Sequence, residues 1–245
     1  MENRLKWIQI DTGPRTAKEN MELDAALLED LEHEPFPILH LYDWEEEAAT
    51  YGYFIKPEAF LQLDGVKKHA LDLARRPTGG GIVFHNCDLA FSVLVPASHP
   101  DFSTNPLENY AYVNKRVIWA VSKLLDSTPE LLPSEPLPAD SHCKSFCMAK
   151  PTRYDVMIGG RKIGGAAQRK TRHGFLHQGT ISIGMLPEEY LREILLPGTQ
   201  VIEAMKANTF SLLGKKWTKI ELQEARSSLK NSLKQAFHEQ FQGNP

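Results

Sequence analysis

Only three of the 245 residues are cysteine. An odd number excludes a fully paired disulfide frame and suits free thiols in a reducing compartment, so the expected location is cytoplasmic. No apolar run reaches the ~20 residues of a membrane-crossing helix. The N-terminal stretch MENRLKWIQI lacks the apolar core of a signal peptide, and no membrane partner is expected. Neither sign of charge is in excess: a formal net charge of −3 gives no general attraction to nucleic acid. Internal repeats, low-complexity tracts and interdomain linkers are also missing. The expectation is one large domain over residues 1–245.

What the chain does have is glycine where it matters. The stretch from Arg75 to Ser92, RRPTGGGIVFHNCDLAFS, places a Pro-Thr-Gly-Gly-Gly turn after a probable strand at 71–76. Strands at 82–85 and 89–95 follow. No Gly-Lys-Ser/Thr follows, so this is not a phosphate loop. The glycines lead into a strand rather than a helix, which excludes a dinucleotide fingerprint. Glycine runs are kept where backbone bends sharply or approaches a ligand. Backbone N–H groups and the two arginines can then converge on a small anionic or carbonyl-bearing group. The same residues also fit a tight hairpin with two solvated arginines.

Elsewhere, Thr16 and Glu19 form a capping box for a helix over 16–31. Its face Met21, Ala25, Leu28 points to the core, and Glu22, Glu29 and Asp30 point to water. Strands are expected at 7–10, 38–42 and 51–55, with an acidic loop at 43–47 and a helical turn from Pro57 before Asp64-Gly65. Asn105-Pro106 with Glu108 opens a helix to about 125, striped by Val113, Val117, Ala120, Val121 and Leu124. Residues 126–140, rich in proline, read as a long loop. A hairpin at 154–163 turns on Gly159-Gly160, and a strand covers 175–183. Pro187 opens a short helix ending before Pro197. Thr218 and Glu221 cap a last helix over 218–240 with Leu222, Leu229, Leu233, Phe237 and Phe241 on one face.

The segments NMELDAALL (20–28), RRPTGGGIVFH (75–85), YDVMIGGRKIGGAAQR (154–169) and FLHQGTISI (175–183) resemble, in order, the signatures of the lipoate/biotin cofactor-transferase family. That family contains lipoate–protein ligases and octanoyltransferases. The resemblance implies an α/β (α+β) fold, a mixed β-sheet flanked by helices like a biotin/lipoate ligase catalytic domain, and acylation of a lysine on a lipoyl carrier domain. Such carriers are the glycine-cleavage H protein or a 2-oxoacid dehydrogenase E2. The resemblance places Lys162 where the family lysine holds the acyl carbonyl. It places Arg75, Arg76, Thr78, Gly79, Gly80, Gly81, His85, Gly164, Gly165, Ala166 and His177 around the substrate. The acyl chain is expected in an apolar tunnel walled by 79–81 and 164–167.

Within the family, Cys147 separates two reactions. It lies seven positions before Tyr154, as does the nucleophile of octanoyltransferases, with Met148 where phenylalanine is common. A thiolate is a good nucleophile and leaving group near neutral pH, once its intrinsic pKa of about 8.5 is lowered by a nearby cation. A lone cysteine is otherwise an inert buried thiol. Cys143, Cys147 and His142 lack a second ligand pair, so no metal is expected; Cys87 is read as structural. The His85-to-Ser92 interval and chain length also favour the transferase, which takes its acyl group from acyl carrier protein and needs no cofactor. Gly81 and His177-Gln178-Gly179 favour the alternative, a lipoate ligase using ATP and Mg²⁺. A non-catalytic acyl-binding regulator is the third reading.

Overall fold

The chain's two most buried strands lie side by side and hold everything else in place. The computed structural model describes residues 6–125, 127–134 and 142–238. Strand β1 (Ile8–Arg15) pairs in parallel with β2 (Ile38–Trp44), and β2 pairs antiparallel with β6 (Asp88–Pro96). Then come β10 (Gly174–Ser182), β9 (Arg161–Lys170), β8 (Val156–Ile158) and the short β7 (Glu130–Leu131), all antiparallel. This is the expected mixed sheet, seven strands wide. A second sheet of three strands joins β4 (Asp72–Arg75), β3 (Ala48–Tyr51) and β5 (Val83–Phe84).

Every residue of β6 and β10 is buried. Side chains alternate across a strand, so one face of this pair (Phe91, Val93, Phe175, Ile181) packs against α3 (Pro106–Ser122) and α6 (Lys219–Ala236). The opposite face offers Leu94 and Leu176 to Leu28 and Leu31 of α1 (Ala17–Asp30) and the residue after it. Both expected capping boxes are present at Thr16/Glu19 and Thr218/Glu221, and Asn105 caps α3. The apolar stripes of α3 and α6 are buried as their spacing predicts, except that α3 ends at Ser122 and Leu124 beyond it is half-buried; Phe241 lies outside the described residues. The long loop holds β7, while residues 126 and 135–140 fall outside the described residues.

Some boundaries differ from expectation. The strand expected at 51–55 is β3, ending at Tyr51. Tyr53 N–H donates to Thr78 O and Ile55 N–H to Gly52 O, which turns the chain instead. The 82–85 strand shrinks to two residues. Helices α2 (Leu63–Lys68) and α5 (Val201–Asn208) were not expected; α4 (Glu188–Ile194) was. Helix α2 runs through Asp64-Gly65, which reads locally as a turn. These helices and the small sheet share a separate apolar cluster with Ile82, Phe84 and Phe146. Among the described residues no helix is long and apolar enough to cross a membrane.

Candidate active site

The glycine loop is fixed from inside by Arg76. Its guanidinium is buried and donates to Thr50 O and Oγ1 (3.0 and 2.8 Å) and to the carbonyls of Gly79 and Gly81 (3.1 and 2.7 Å). A planar fork suits such divergent acceptors. The loop in turn receives the cysteine segment. Ile82 N–H donates to Ser145 O, and Cys147 N–H donates to Ile82 O. A Cβ on Gly81 would lie 2.4 Å from Ser145 O. Glycine is required at 81 because the backbone before Cys147 lies directly on it.

Lys162 reaches the same place through an irregularity. Val156 pairs with Gly164, but Met157 pairs with Lys162, so β9 carries one extra residue at this point. Such a bulge breaks the alternation of period two. It brings Lys162 and Gly165, three apart, onto one face: a Cβ on Gly165 would sit 2.3 Å from Lys162 Cε and 3.2 Å from Cys147 Sγ. The absent side chain at 165 is the space that the ammonium and sulfur use. Lys162 Nζ donates to Asp155 Oδ2 (2.7 Å), to Cys147 O (2.8 Å) and to Cys147 Sγ (3.4 Å). Burial works against its charge. The carboxylate of Asp155 and the adjacent Cys147 outweigh burial and hold the Lys162 pKa above the ordinary lysine range. Asp155 is aimed by a local turn in which Tyr154 adopts a left-handed φ of 68° and Thr152 N–H and Oγ1 donate to Asp155 Oδ2.

Between these two walls lies a narrow cavity of about 40 Å³, lined among others by Met21, Tyr42, Arg76, His85, Cys147 and Gln178. Polar groups behind it form two networks. In one, Arg76 donates to Thr50 Oγ1, which leaves the Thr50 hydroxyl proton for His85 Nε2 (2.8 Å); His85 Nδ1–H then donates to Asp88 Oδ2 (2.8 Å). Thr180 Oγ1 donates to the same oxygen. In the other, Asp24 accepts from His40 Nδ1, Ser92 Oγ and Gln178 Nε2 (2.8, 2.5 and 2.6 Å), and Gln178 Oε1 accepts from Thr78.

The structure thus brings Cys147, Lys162, Arg76, Gly80, Gly81, His85, Gly165 and Ala166 together; Thr78 stands behind them through Gln178. Other expected residues do not join. Arg75 is exposed and stacks on Tyr53 (4.6 Å). Gly79 contributes its carbonyl to Arg76 but does not line the cavity. Gly164 faces the core, where an added Cβ would meet Val156 and Val117. His177 lies on the far face of β10, fully buried beside Phe91 and Tyr110, and burial lowers its pKa to about 3. Its neighbour Gln178 lines the cavity instead. The cavity found between the glycines and 165–167 is narrow, and Met21 is among its lining residues. The residues that sequence reasoning missed are Asp155, Asp24, Thr50, Asp88 and Gln178. Only Asp24 carried a signal, an acid three residues after Met21 on the apolar face of α1.

A family model described as the lipoyl protein ligase A/B catalytic domain matches residues 16–242. The octanoyltransferase LipM of Geobacillus kaustophilus (strain HTA426) is 31% identical over 240 residues, covering 96% of this chain and 85% of the relative. The LipM of Oceanobacillus iheyensis is 28% identical over the same extent. A bi-partite lipoate protein ligase from Thermoplasma acidophilum, solved in a study with its E2 lipoyl domain, superposes with a TM-score of 0.69 at 21% identity. It covers 98% of this chain and 87% of that one, a likeness of fold.

Proposed function

Because the chain belongs to the lipoyl protein ligase A/B catalytic-domain family, we propose that it transfers an octanoyl group from acyl carrier protein, through a thioester on Cys147, to a lysine of a lipoyl carrier domain. Octanoyl transfer is the activity that the LipM relatives carry in their name. One catalytic domain over residues 1–245 performs it in this reading. The observation that supports the route through cysteine is the contact between Lys162 Nζ and Cys147 Sγ at 3.4 Å, with Asp155 keeping the lysine charged.

The chemistry follows from that contact. The Cys147 sulfur, 3.4 Å from the Lys162 ammonium, attacks the donor thioester and expels the donor thiol. Of the Lys162 N–H bonds, two are committed to Asp155 and the Cys147 carbonyl. The third reaches the Cys147 sulfur. Once Cys147 is acylated, that N–H is available to the thioester oxygen, where negative charge develops during the second attack. The carrier lysine then displaces Cys147 and forms the amide. Thioester to amide is downhill, so the route needs neither ATP nor Mg²⁺.

The test is intact mass measurement of the enzyme with octanoyl-acyl carrier protein, before and after a carrier domain is added, for wild type and Cys147→Ser. The expected result is a hydroxylamine-sensitive octanoyl adduct on Cys147 that the carrier discharges. Full activity of Cys147→Ser with a strict ATP requirement would replace this reading with the ligase.

A further inference from the structure

The sulfur and the ammonium come from separate segments, and a third segment holds both. Helix α5 ends at Asn208, and Thr209 leaves it with extended backbone (φ −95°, ψ 130°). Hydrogen bonds run outward from this end in two directions. Asn208 Nδ2 donates to Ala149 O (2.7 Å), and Thr209 Oγ1 donates to Met148 O (3.1 Å). Phe210 N–H donates to Lys162 O (2.8 Å), where Thr209 and Lys162 form a parallel bridge. Lys162 therefore lies between two neighbouring backbones, Met157 of β8 and Thr209.

The cysteine side is tied carbonyl by carbonyl. Residues 147–149 belong to no strand or helix, so their polar groups find partners outside a regular ladder. The carbonyls of Cys147, Met148 and Ala149 accept in turn from Lys162 Nζ, Thr209 Oγ1 and Asn208 Nδ2. Cys147 N–H donates to Ile82 O, which secures the upstream end. The base of this clasp is well seated. Val201, Ile202 and Ala204 of α5 are buried in the second apolar cluster, and Thr209 is buried beyond them.

We propose that Thr209 is a positioning residue for the transfer, setting through Met148 where the Cys147 sulfur lies relative to Lys162. The inference deepens the proposed function and rests on the Cys147 thioester. Its hydroxyl bonds the carbonyl of the residue after Cys147, and its backbone pairs with Lys162, so one residue ties both partners to one frame. Removing the hydroxyl frees Met148 O, while Lys162 stays held by Asp155 and β8. The partner that shifts is the sulfur. Rates are steep in such displacements: about 1 Å can cost a hundredfold.

The experiment uses the full-length protein. Loading of Cys147 from octanoyl-acyl carrier protein is followed by intact mass under single-turnover conditions, with thermal midpoints measured alongside. Thr209→Val keeps the shape and loses the hydroxyl, and is expected to slow loading about tenfold. Thr209→Ser keeps the hydroxyl and is expected within about threefold of wild type. Both exchanges are then made in Lys162→Met. There the sulfur has no ammonium to be aligned with, so Thr209→Val is expected to change the remaining rate by less than about twofold. The same tenfold loss in both backgrounds would make the effect one on the fold and overturn the inference. So would loading at the wild-type rate in Thr209→Val, or a serine variant as slow as the valine one. Asn208→Ala, at a half-buried position that holds Ala149, carries the same cycle if Thr209→Val does not fold. A wild type that never forms the thioester overturns the parent reading and the inference with it. A thioester that forms without this coupling overturns the inference alone.

Discussion

Arg76 and Lys162 are both buried cations, the first lining the narrow cavity and the second lying behind its Cys147 and Gly165 wall, and the fold uses them in opposite ways. Arg76 spends its donors on Thr50 and on two carbonyls of the glycine loop, with no carboxylate among its hydrogen-bond partners. It braces backbone. Lys162 is held by a single carboxylate, Asp155, and its remaining reach extends to Cys147. A guanidinium with four hydrogen bonds to the protein from its two terminal nitrogens is held too firmly to follow charge as it moves during a reaction. An ammonium whose third donor rests on Cys147, the nucleophile of the proposed reaction, can follow it. Burial alone does not distinguish the two cations; what the last donor touches does.

The largest effect that sharpens this contrast is on rate. Lys162→Met should lower the single-turnover rate of transfer by about a hundred- to a thousandfold, the usual consequence of losing a donor to the oxyanion. It also leaves Asp155 buried without its partner, at a cost of about 3–5 kcal/mol. The double variant Lys162→Met/Asp155→Asn should recover thermal stability but not rate. Recovery of both would make the pair structural, and Lys162 no different from Arg76.

For Arg76 the expected order is reversed. Arg76→Lys replaces a planar fork with a point charge that cannot span Thr50, Gly79 and Gly81 together. Stability in urea should fall by roughly 3 kcal/mol, on the scale of one or two charge-assisted hydrogen bonds. The rate of Cys147 loading should fall only as far as the loop slackens, about tenfold or less. A variant with unchanged stability and a rate loss as large as that of Lys162→Met would place Arg76 on the substrate.

Much of this arrangement was legible in the residues. The capped helices, the central strands and the Gly159-Gly160 turn follow from local rules and hold in the structure. The identities of Cys147 and Lys162 rested on resemblance, because a cysteine in a loop and a lysine past a turn carry no local signal of their meeting. What joins them is non-local. The bulge that puts Lys162 and Gly165 on one face depends on how β9 pairs with β8, not on β9 alone. Asp155 reads as the first residue of a strand, yet a left-handed Tyr154 turns it inward. Gly81 reads as a member of a flexible run, whereas its role is to let residue 145 pack against it. Helix α2 forms across a Gly that its neighbour Glu193 requires, another long-range cause. Side-chain pairings between distant segments are the part that one sequence does not spell out.

His177 extends the comparison to a base with no anion at all. It is fully buried, Gln168 Nε2 donates to its Nδ1 at 2.9 Å, and Nε2 has no partner among the described residues. With nothing to balance a charge, burial lowers its pKa to about 3, so it stays neutral while Lys162 stays charged. In the unfolded chain the same ring takes up a proton near pH 6.5. The unfolded state therefore binds a proton that the folded state refuses throughout the interval between those values. Its contribution to stability is complete above about pH 6.5 and is lost as pH falls toward 3. His177→Gln keeps a polar partner for Gln168 and removes the titration. The variant should transfer octanoyl at neutral pH within about twofold of wild type, since the side chain lies on the opposite face of β10 from Cys147. Its urea midpoint should fall less than that of wild type between pH 7 and 5, the difference approaching roughly 2 kcal/mol. Parallel acid profiles for the two proteins would mean that His177 is protonated in the fold after all. A neutral-pH rate loss of a hundredfold would instead return it to the substrate-binding set that its position in the sequence suggested.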